Sequence, residues 1–290
     1  LKFSALSKGG QHLFRILRKE ELAPSIKLID VHAPMVARKA KPGQFVVVRV
    51  SEEGERIPLT IADWKANSGM VTIVFQEVGV TSMKLGELEE GDALVDLLGP
   101  LGQPTHIEKY GTVVCVPGGV GIAPLFPVAR ALQDKGNTVI TCMGARSQNL
   151  LFWVDRMRSV SDEVLISTDD GTLGFHGFTT DLLKQVIARG TKVDRVFTAG
   201  PAIMMKKVAE VTSMAGVPTL ASLNAMMVDG TGMCGVCRVM VDGKTKFTCV
   251  DGPDFDAHKV DFDHLLSRLA VYKAEEKKAL ELYMQTRGAK

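Results

Sequence analysis

Three of the five cysteines lie between residues 234 and 249, spaced Cys234-x2-Cys237-x11-Cys249, and five residues before the first of them stands Asp229. This spacing matches the last three positions of the plant-type iron–sulfur pattern, with a carboxylate where the first cysteine would be. The chemistry implied is single-electron transfer through a 2Fe–2S cluster held by Asp229, Cys234, Cys237 and Cys249. Gly230, Gly232 and Gly235 interleave with these ligands, and small residues let a loop wrap closely with its N–H groups turned toward sulfur. From Arg238 the chain reads as a hairpin turning at Asp242-Gly243, which returns Cys249 beside Cys237. A structural zinc site with the same donors competes with the cluster. Zinc sites usually bring a second Cys or His pair, however, and His258 has no partner at suitable spacing. A carboxylate is harder and less covalent than a thiolate, so ligation by Asp229 predicts a reduction potential unlike that of an all-cysteine site. Aspartate is also a common turn former, and spacing does not separate the two roles.

Other residues are of the kind that holds a dinucleotide. Gly79-Val80-Thr81-Ser82 heads a helical stretch through Leu88, where free N–H groups, the close approach allowed by Gly79 and the Thr81 and Ser82 hydroxyls suit a diphosphate. Arg56, opening Arg56-Ile57-Pro58-Leu59-Thr60-Ile61, would add a fixed cation. A plain capped turn and a solvated arginine account for the same residues. Gly118-Gly119-Val120-Gly121-Ile122-Ala123-Pro124 is a glycine-rich strand-to-helix junction. It is a dinucleotide fingerprint with Pro in place of the third Gly, without the acidic residue expected about twenty positions on. Tight strand–helix packing would also explain it. Gly144-Ala145-Arg146-Ser147 ends the following strand. There Arg146 would take a 2′-phosphate, stack on adenine or face water, and Gly200-Pro201 offers a further opening at the same edge.

The elements that must position these residues follow from hydrophobic period. Short apolar or alternating runs at 13–18, 25–31, 44–50, 70–76 and 93–98, separated by Pro, Gly and acidic turns, predict a small antiparallel barrel over residues 12–107. The Arg56 segment falls between two of these runs. Residues 108–222 change period, with strands at 112–116, 138–143, 163–167 and 195–198 alternating with helices near 122–133, 150–157, 179–188 and 202–214. That alternation predicts a doubly wound parallel sheet. A small cysteine module follows over 223–260, then one amphipathic helical stretch, about 264–284, within a 261–290 segment that packs on its own domain or on a partner subunit. Residues 1–11 read as a flexible N-terminal extension. Cys115 and Cys142, inside apolar strands, read as buried small hydrophobes.

At 290 residues, 46% hydrophobic and 23% charged, the chain is long enough for two or three domains, each burying its own core. A net charge of +2 from dispersed lysines and arginines argues against nucleic acid. Residues 111–129 carry no charge, but Pro117, Gly118, Gly119, Gly121, Pro124 and Pro127 break the run into a buried strand, turn and helix rather than a membrane span. Few, unevenly placed cysteines and no secretory-signal pattern predict a cytoplasmic protein.

Arg56-Ile57-Pro58-Leu59-Thr60, Gly99-Pro100-Leu101-Gly102, Gly118-Gly119-Val120-Gly121, Gly200-Pro201-Ala202-Ile203-Met204-Met205 and the Asp229–Cys249 segment, in this order, resemble the ferredoxin-NADP reductase superfamily. Within it the chain is similar to small subunits of the NADH-dependent reduced ferredoxin:NADP oxidoreductase or sulfide dehydrogenase type, and more distantly to electron-transfer subunits of dihydroorotate dehydrogenase. The resemblance implies an FAD-binding barrel, an NAD-binding domain and a C-terminal 2Fe–2S module. It implies Arg56 and Gly79–Ser82 on the FAD diphosphate, and Ile57, Pro58, Leu59 and Thr60 along the isoalloxazine with Thr60 on its N5 edge. It also implies Gly118, Gly119, Gly121, Ile122 and Ala123 near NAD(H). A heterodimer with a larger flavin and iron–sulfur subunit, which handles NADP(H) and ferredoxin by electron bifurcation, is implied as well. Two departures stand out: Arg56 is one residue further from its hydroxyl than in the usual Arg-x-Tyr-Ser, and Ala199-Gly200-Pro201 replaces Cys-Gly-Pro, which leaves hydride transfer to stacking and positioning.

Overall fold

The computed structural model describes residues 14–288, so the expected extension over residues 1–11 lies outside the described residues. The first unit is a seven-stranded antiparallel sheet curled into a near-closed barrel. Its strands are β1 (Phe14–Ala23), β2 (Ile26–His32), β3 (Phe45–Arg49), β4 (Arg56–Lys65), β5 (Met70–Gln76), β6 (Ala93–Leu94) and β7 (Asp96–Leu101), in the order β6-β1-β2-β5-β4-β3-β7. Alternate side chains Ile16, Ile29, Val31, Val46, Val48, Ile61, Ile73 and Phe75 fill its interior. A short helix, α1 (Pro34–Ala37), lies between β2 and β3, and α2 (Val80–Glu87) between β5 and β6.

Arg56–Ile61, expected between strands, is instead the first half of β4. Pro58 obscures it, because proline is confined to strand edges, and an edge is what the structure shows. From Arg56 to Thr60 the strand pairs with β3 alone (Phe45↔Thr60, Val47↔Pro58, Arg49↔Arg56), and pairing with β5 begins only at Ile61↔Ile73. A register shift between Ile61 and Asp63 then bulges the strand at Ala62.

The second sheet also has seven strands: β8 (Thr112–Pro117), β9 (Thr138–Ala145), β10 (Glu163–Thr168), β11 (Phe175–His176), β12 (Arg195–Ala199), β13 (Thr219–Ser222) and a last one given below. The helices are α3 (Ile122–Asp134), α4 (Val154–Arg158), α5 (Thr179–Ala188) and α6 (Ala202–Met214). The helix expected from residue 150 begins only at Val154, because Trp153 takes a left-handed φ of 55° and breaks it from a 3₁₀ turn at Gln148–Leu150. Strands β8 to β13 run parallel. Cys115 and Cys142 are buried in this sheet, and burial pushes both thiols up to about 12.

The cysteine segment contributes the hairpin β14 (Arg238–Val241) and β15 (Lys244–Phe247), turning through Asp242 and Gly243 at φ 52° and 68°, and then β16 (Asp254–Asp256). Strand β16 joins the parallel sheet antiparallel to β13 (Ala221↔Phe255, Ser222↔Asp254). The single C-terminal helix expected is two, α7 (Phe262–Leu269) and α8 (Lys273–Gly288), parted by a turn at Ala270–Tyr272. Helix α7 packs on α6 and β14, whereas α8 lies against α2 of the barrel, where the Tyr283 hydroxyl donates to Glu87 at 2.6 Å.

Two of the four cores cross between these units. Ala23, Ile26, Leu28, Ala62 and Val74 of the barrel share one with Ile122, Ala123, Leu125 and Phe126 of α3. Phe45 and Val47 share another with Cys237, Val239, Cys249 and Leu265. The barrel and the parallel sheet each also bury a core of their own, and the shared cores fix how the parts sit. Among the described residues, no helix is long and apolar enough to cross a membrane.

Candidate functional site

The cysteine loop forms because Gly230, Gly232 and Gly235 hold φ of 76°, 89° and 67°, which L side chains rarely adopt. It brings two of the cysteines together. The Cys237 and Cys249 sulfurs lie 3.2 Å apart, both residues buried against Phe45 and Val47. Burial and the adjoining Cys237 thiol push Cys249 up to about 12. Buried thiols with glycine-turned backbone around them fit an iron–sulfur cluster.

Cys234 is exposed, and no group of three His, Cys, Asp or Glu side chains among the described residues converges on one metal position. Asp229 is turned into its own loop. One carboxylate oxygen accepts the Thr231 N–H at 2.8 Å and the other the Cys234 N–H at 2.9 Å. These bonds hold its carboxyl below the usual range, and each oxygen keeps a lone pair toward which Cys234 has already been drawn.

Along β4 the alternation of side chains sorts the residues singled out in the sequence. Ile57 and Leu59 are half-buried and pack against the barrel core. Pro58 and Thr60 take the opposite face, directly across from Val47 and Phe45. Arg56 is half exposed, 3.6 Å from Asp96, which is also held by Arg49 at 2.7 Å. At the α2 N-terminus a Cβ on Gly79 would meet nothing, so the helix end is open. The Ser82 hydroxyl is committed: it accepts from the Val78 and Gly79 N–H groups at 3.0 Å and donates to the Gly79 carbonyl, closing the helix cap. Thr81 donates to Glu55 at 2.8 Å, which leaves its oxygen lone pairs free.

The glycine junction after β8 divides in the same way. A Cβ on Gly118 would strike Met204, one on Gly121 the Ala199 carbonyl, and one on Gly144 the Thr179 methyl and Ser167. These glycines serve close packing. Gly119 differs, with φ +54° and open space around it, and it faces the opening between the ends of β8 and β12. Gly200, φ 151°, brings its strand end against Gly118. Ile122 and Ala123 are buried, and the Ile122 N–H already donates to the Gly119 and Val120 carbonyls of the turn before α3.

Beyond Arg146, which is exposed, a groove of about 520 Å³ lies at the carboxyl ends of β9 and β10. It is lined by Ser147, Gln148, Asn149, Leu151, Asp170 and Thr172. Asp170 accepts the Thr172 hydroxyl at 2.6 Å and N–H at 3.0 Å, bonds that keep it ionised, and the Gln148 N–H donates to Thr172 at 2.9 Å. Sequence reasoning passes over these residues, although Asp169-Asp170-Gly171-Thr172 directly follows a strand at the edge where ligands of such sheets collect. It also passes over Phe45 and Val47, whose place beside the cysteines depends on contacts between distant segments.

Residues 224–261 match the model of the iron–sulfur cluster binding domain of dihydroorotate dehydrogenase B. The chain is 47% identical to a Thermotoga maritima protein named as a homolog of the electron transfer subunit of dihydroorotate dehydrogenase B (NAD(+)), over 97% of this chain and 99% of that one. It is 37% identical to a probable electron transfer subunit of the same enzyme in Methanocaldococcus jannaschii, over 86% and 90%. Among solved structures it superposes on one of the NADH-dependent reduced ferredoxin-NADP oxidoreductase, described for its insights into flavin-based electron bifurcation. The TM-score is 0.90 and the identity 46%, over 95% of this chain and 99% of that one. Phthalate dioxygenase reductase, at 17% identity and a TM-score of 0.56, shares the fold.

Proposed function

Because the chain belongs to the family of the dihydroorotate dehydrogenase B electron-transfer subunits, flavin and iron–sulfur oxidoreductases of ferredoxin reductase fold, we propose that it exchanges hydride between NAD(H) and FAD and passes single electrons to or from a larger partner subunit. Bound FAD splits a two-electron hydride into single electrons, and the 2Fe–2S cluster carries them one at a time. The structural zinc site that spacing left open is set aside by the match of residues 224–261.

One observation carries the proposal. Thr60, on the unpaired edge of β4, stands across the ladder from Phe45, and Phe45 packs in the same core as Cys237 and Cys249. The same strand shares its other core with Ile122 and Ala123 at the glycine junction. A flavin along Pro58 and Thr60 would therefore have the nicotinamide site on one side and the cysteine pair on the other. Arg56, Gly79 and Thr81 would hold its diphosphate, with Ser82 shaping the helix end. Thr60 would bond the flavin edge, Gly119 and the turn leading into Ile122 and Ala123 would admit the nicotinamide dinucleotide, and Gly144, Arg146, Gly200 and Pro201 would frame it. With no thiol at Ala199, these residues act by orienting the two rings and excluding water.

The partner that fits best is the larger flavin and iron–sulfur subunit of a bifurcating enzyme acting on ferredoxin and NADP(H) in the cytoplasm. The full-length likeness at TM-score 0.90 supports this. A dihydroorotate dehydrogenase partner is the second reading, supported by the names of the sequence relatives. Purified protein should show flavin bands and a broad iron–sulfur shoulder, and NADH should bleach the flavin anaerobically. Co-purification of the native complex decides the partner: a subunit oxidising dihydroorotate would overturn the first reading. Colourless protein carrying zinc would overturn both.

A further inference from the structure

We propose that Asp63, Arg130 and Arg156 form a positioning clamp that sets the register between the strand bearing the flavin site and the helix bearing the nicotinamide site. This rests on the function proposed above. The bulge at Ala62 turns Asp63 out of the barrel toward the parallel-sheet unit, three residues beyond Thr60 on the same strand. There its carboxylate is shared. One oxygen accepts from Arg130 Nη2 of α3 at 2.9 Å and the other from Arg156 Nη2 of α4 at 2.5 Å, while the Trp64 N–H also donates to it at 2.9 Å.

The two guanidinium groups are held by aromatic faces. Arg130 lies 5.6 Å from the Trp64 ring centre and 5.2 Å from that of Phe126. Arg156 lies 4.3 Å from Phe126 and 4.0 Å from Trp153. The Asp63 side chain is only 15% exposed, and the arginines are about one-third exposed, at 34% and 37%. Beneath the clamp the junction is apolar, with Ala62, Val74, Ile122, Ala123 and Phe126 in one core. Such contacts hold two surfaces together without fixing how one slides on the other, because the hydrophobic effect has no direction. A carboxylate fixed by two stacked guanidinium groups does have direction.

The elements joining clamp and site are short. From Asp63 to Thr60 is about 10 Å of strand, and from Arg130 to Ile122 about 12 Å of helix. A shift at the clamp is therefore carried to the place where the flavin and nicotinamide rings must meet. Misplacing reacting groups by 1 Å can cost about 100-fold in rate.

The test is Asp63→Asn in the whole chain, an isosteric change that removes the shared charge. Flavin reduction by NADH, followed by stopped flow, should slow by about 10- to 100-fold. FAD content, the cluster's EPR signal and the dissociation constant for NAD should stay within about twofold of the unaltered protein. In flavin-free protein, hydrogen exchange should rise over residues 61–65 and 122–130 and nowhere else. A reduction rate within twofold of the original, or exchange that rises throughout the molecule, would overturn the clamp and leave an ordinary stabilising contact. If Asp63→Asn does not fold, Arg156→Gln, which removes one of the two ion pairs, is judged on the same terms. Unaltered protein that carries no flavin, or whose flavin NADH does not bleach, would instead overturn the function proposed above, and the exchange measurement would still decide the clamp.

Discussion

Where the barrel meets the parallel sheet, Ala62 and Val74 rest on Ile122 and Ala123 beneath a charged rim of Asp63, Arg130 and Arg156. Where it meets the cysteine module, Phe45, Val47 and Leu101 share a core with Met227, Cys237 and Cys249, and the polar contacts are Thr105 donating to Asp254 at 2.5 Å and Gln103 donating to the Val250 and Gly252 carbonyls. The first junction carries ion pairs at its edge over an apolar centre. The second is held by apolar volume. In the proposed function a nucleotide must come and go at the first, while only electrons cross the second, whose spacing must stay constant. Each junction has the kind of contact its traffic requires.

Phe45→Ala should break this contrast most severely, since it empties the centre of the second junction. A loss of about 3–5 kcal/mol is expected for a buried Phe, read from urea unfolding, together with loss of the iron–sulfur absorbance. A loss below about 1 kcal/mol would mean that the cysteine module does not depend on this contact. Next comes Gly121→Ala at the first junction, where the added methyl meets the Ala199 carbonyl and backbone must move. About 1–3 kcal/mol of destabilisation is expected. Gly119→Ala, at φ +54° in open space, should instead cost about 1 kcal/mol and weaken NAD binding in titrations. Equal effects of the two alanines on stability and on binding would erase the distinction between packing and ligand-facing glycines.

The polar contacts should separate the junctions more finely. Burial raises the carboxyl of Asp254 in a cavity of about 10 Å³, where it is the one ionisable side chain beside Thr105 and Ser222. A carboxyl raised in the folded state binds its proton more tightly there than in the unfolded chain. Its contribution to stability is therefore full below the ordinary aspartate value of about 3.9 and is lost as pH rises through the raised value. Melting temperature across that window should fall with pH, and Asp254→Asn should flatten the slope. The smallest effect belongs to Arg156→Lys, which keeps the charge beside Asp63 but loses the planar stacking on Trp153 and Phe126. About 0.5–1 kcal/mol should go, by a double-mutant cycle with Trp153.

Legibility in the sequence follows the range of the forces involved. The Asp242-Gly243 hairpin, the strand–helix alternation from Thr112 to Met214 and the glycine junction are local, and the structure has them where turn chemistry and period put them. The first half of β4 was hidden because Pro58 marks an edge that local pattern cannot distinguish from a loop. The break in the C-terminal helix at Ala270–Tyr272 has no proline or glycine to announce it.

By itself the sequence determined the spacing of Cys234, Cys237 and Cys249, the barrel, the parallel sheet and their order along the chain. Those depend on residue type and on periods of two and 3.6, which neighbours along the chain suffice to express. Only the tertiary structure decided that Cys237 and Cys249 pair against Phe45, that Ser82 closes a helix cap, that Asp254 completes the parallel sheet beside Ser222, and that Asp63 meets two arginines from separate helices. Each of these joins segments or aims a side chain through packing, and packing is settled by the shape of the whole interior rather than by any stretch within it.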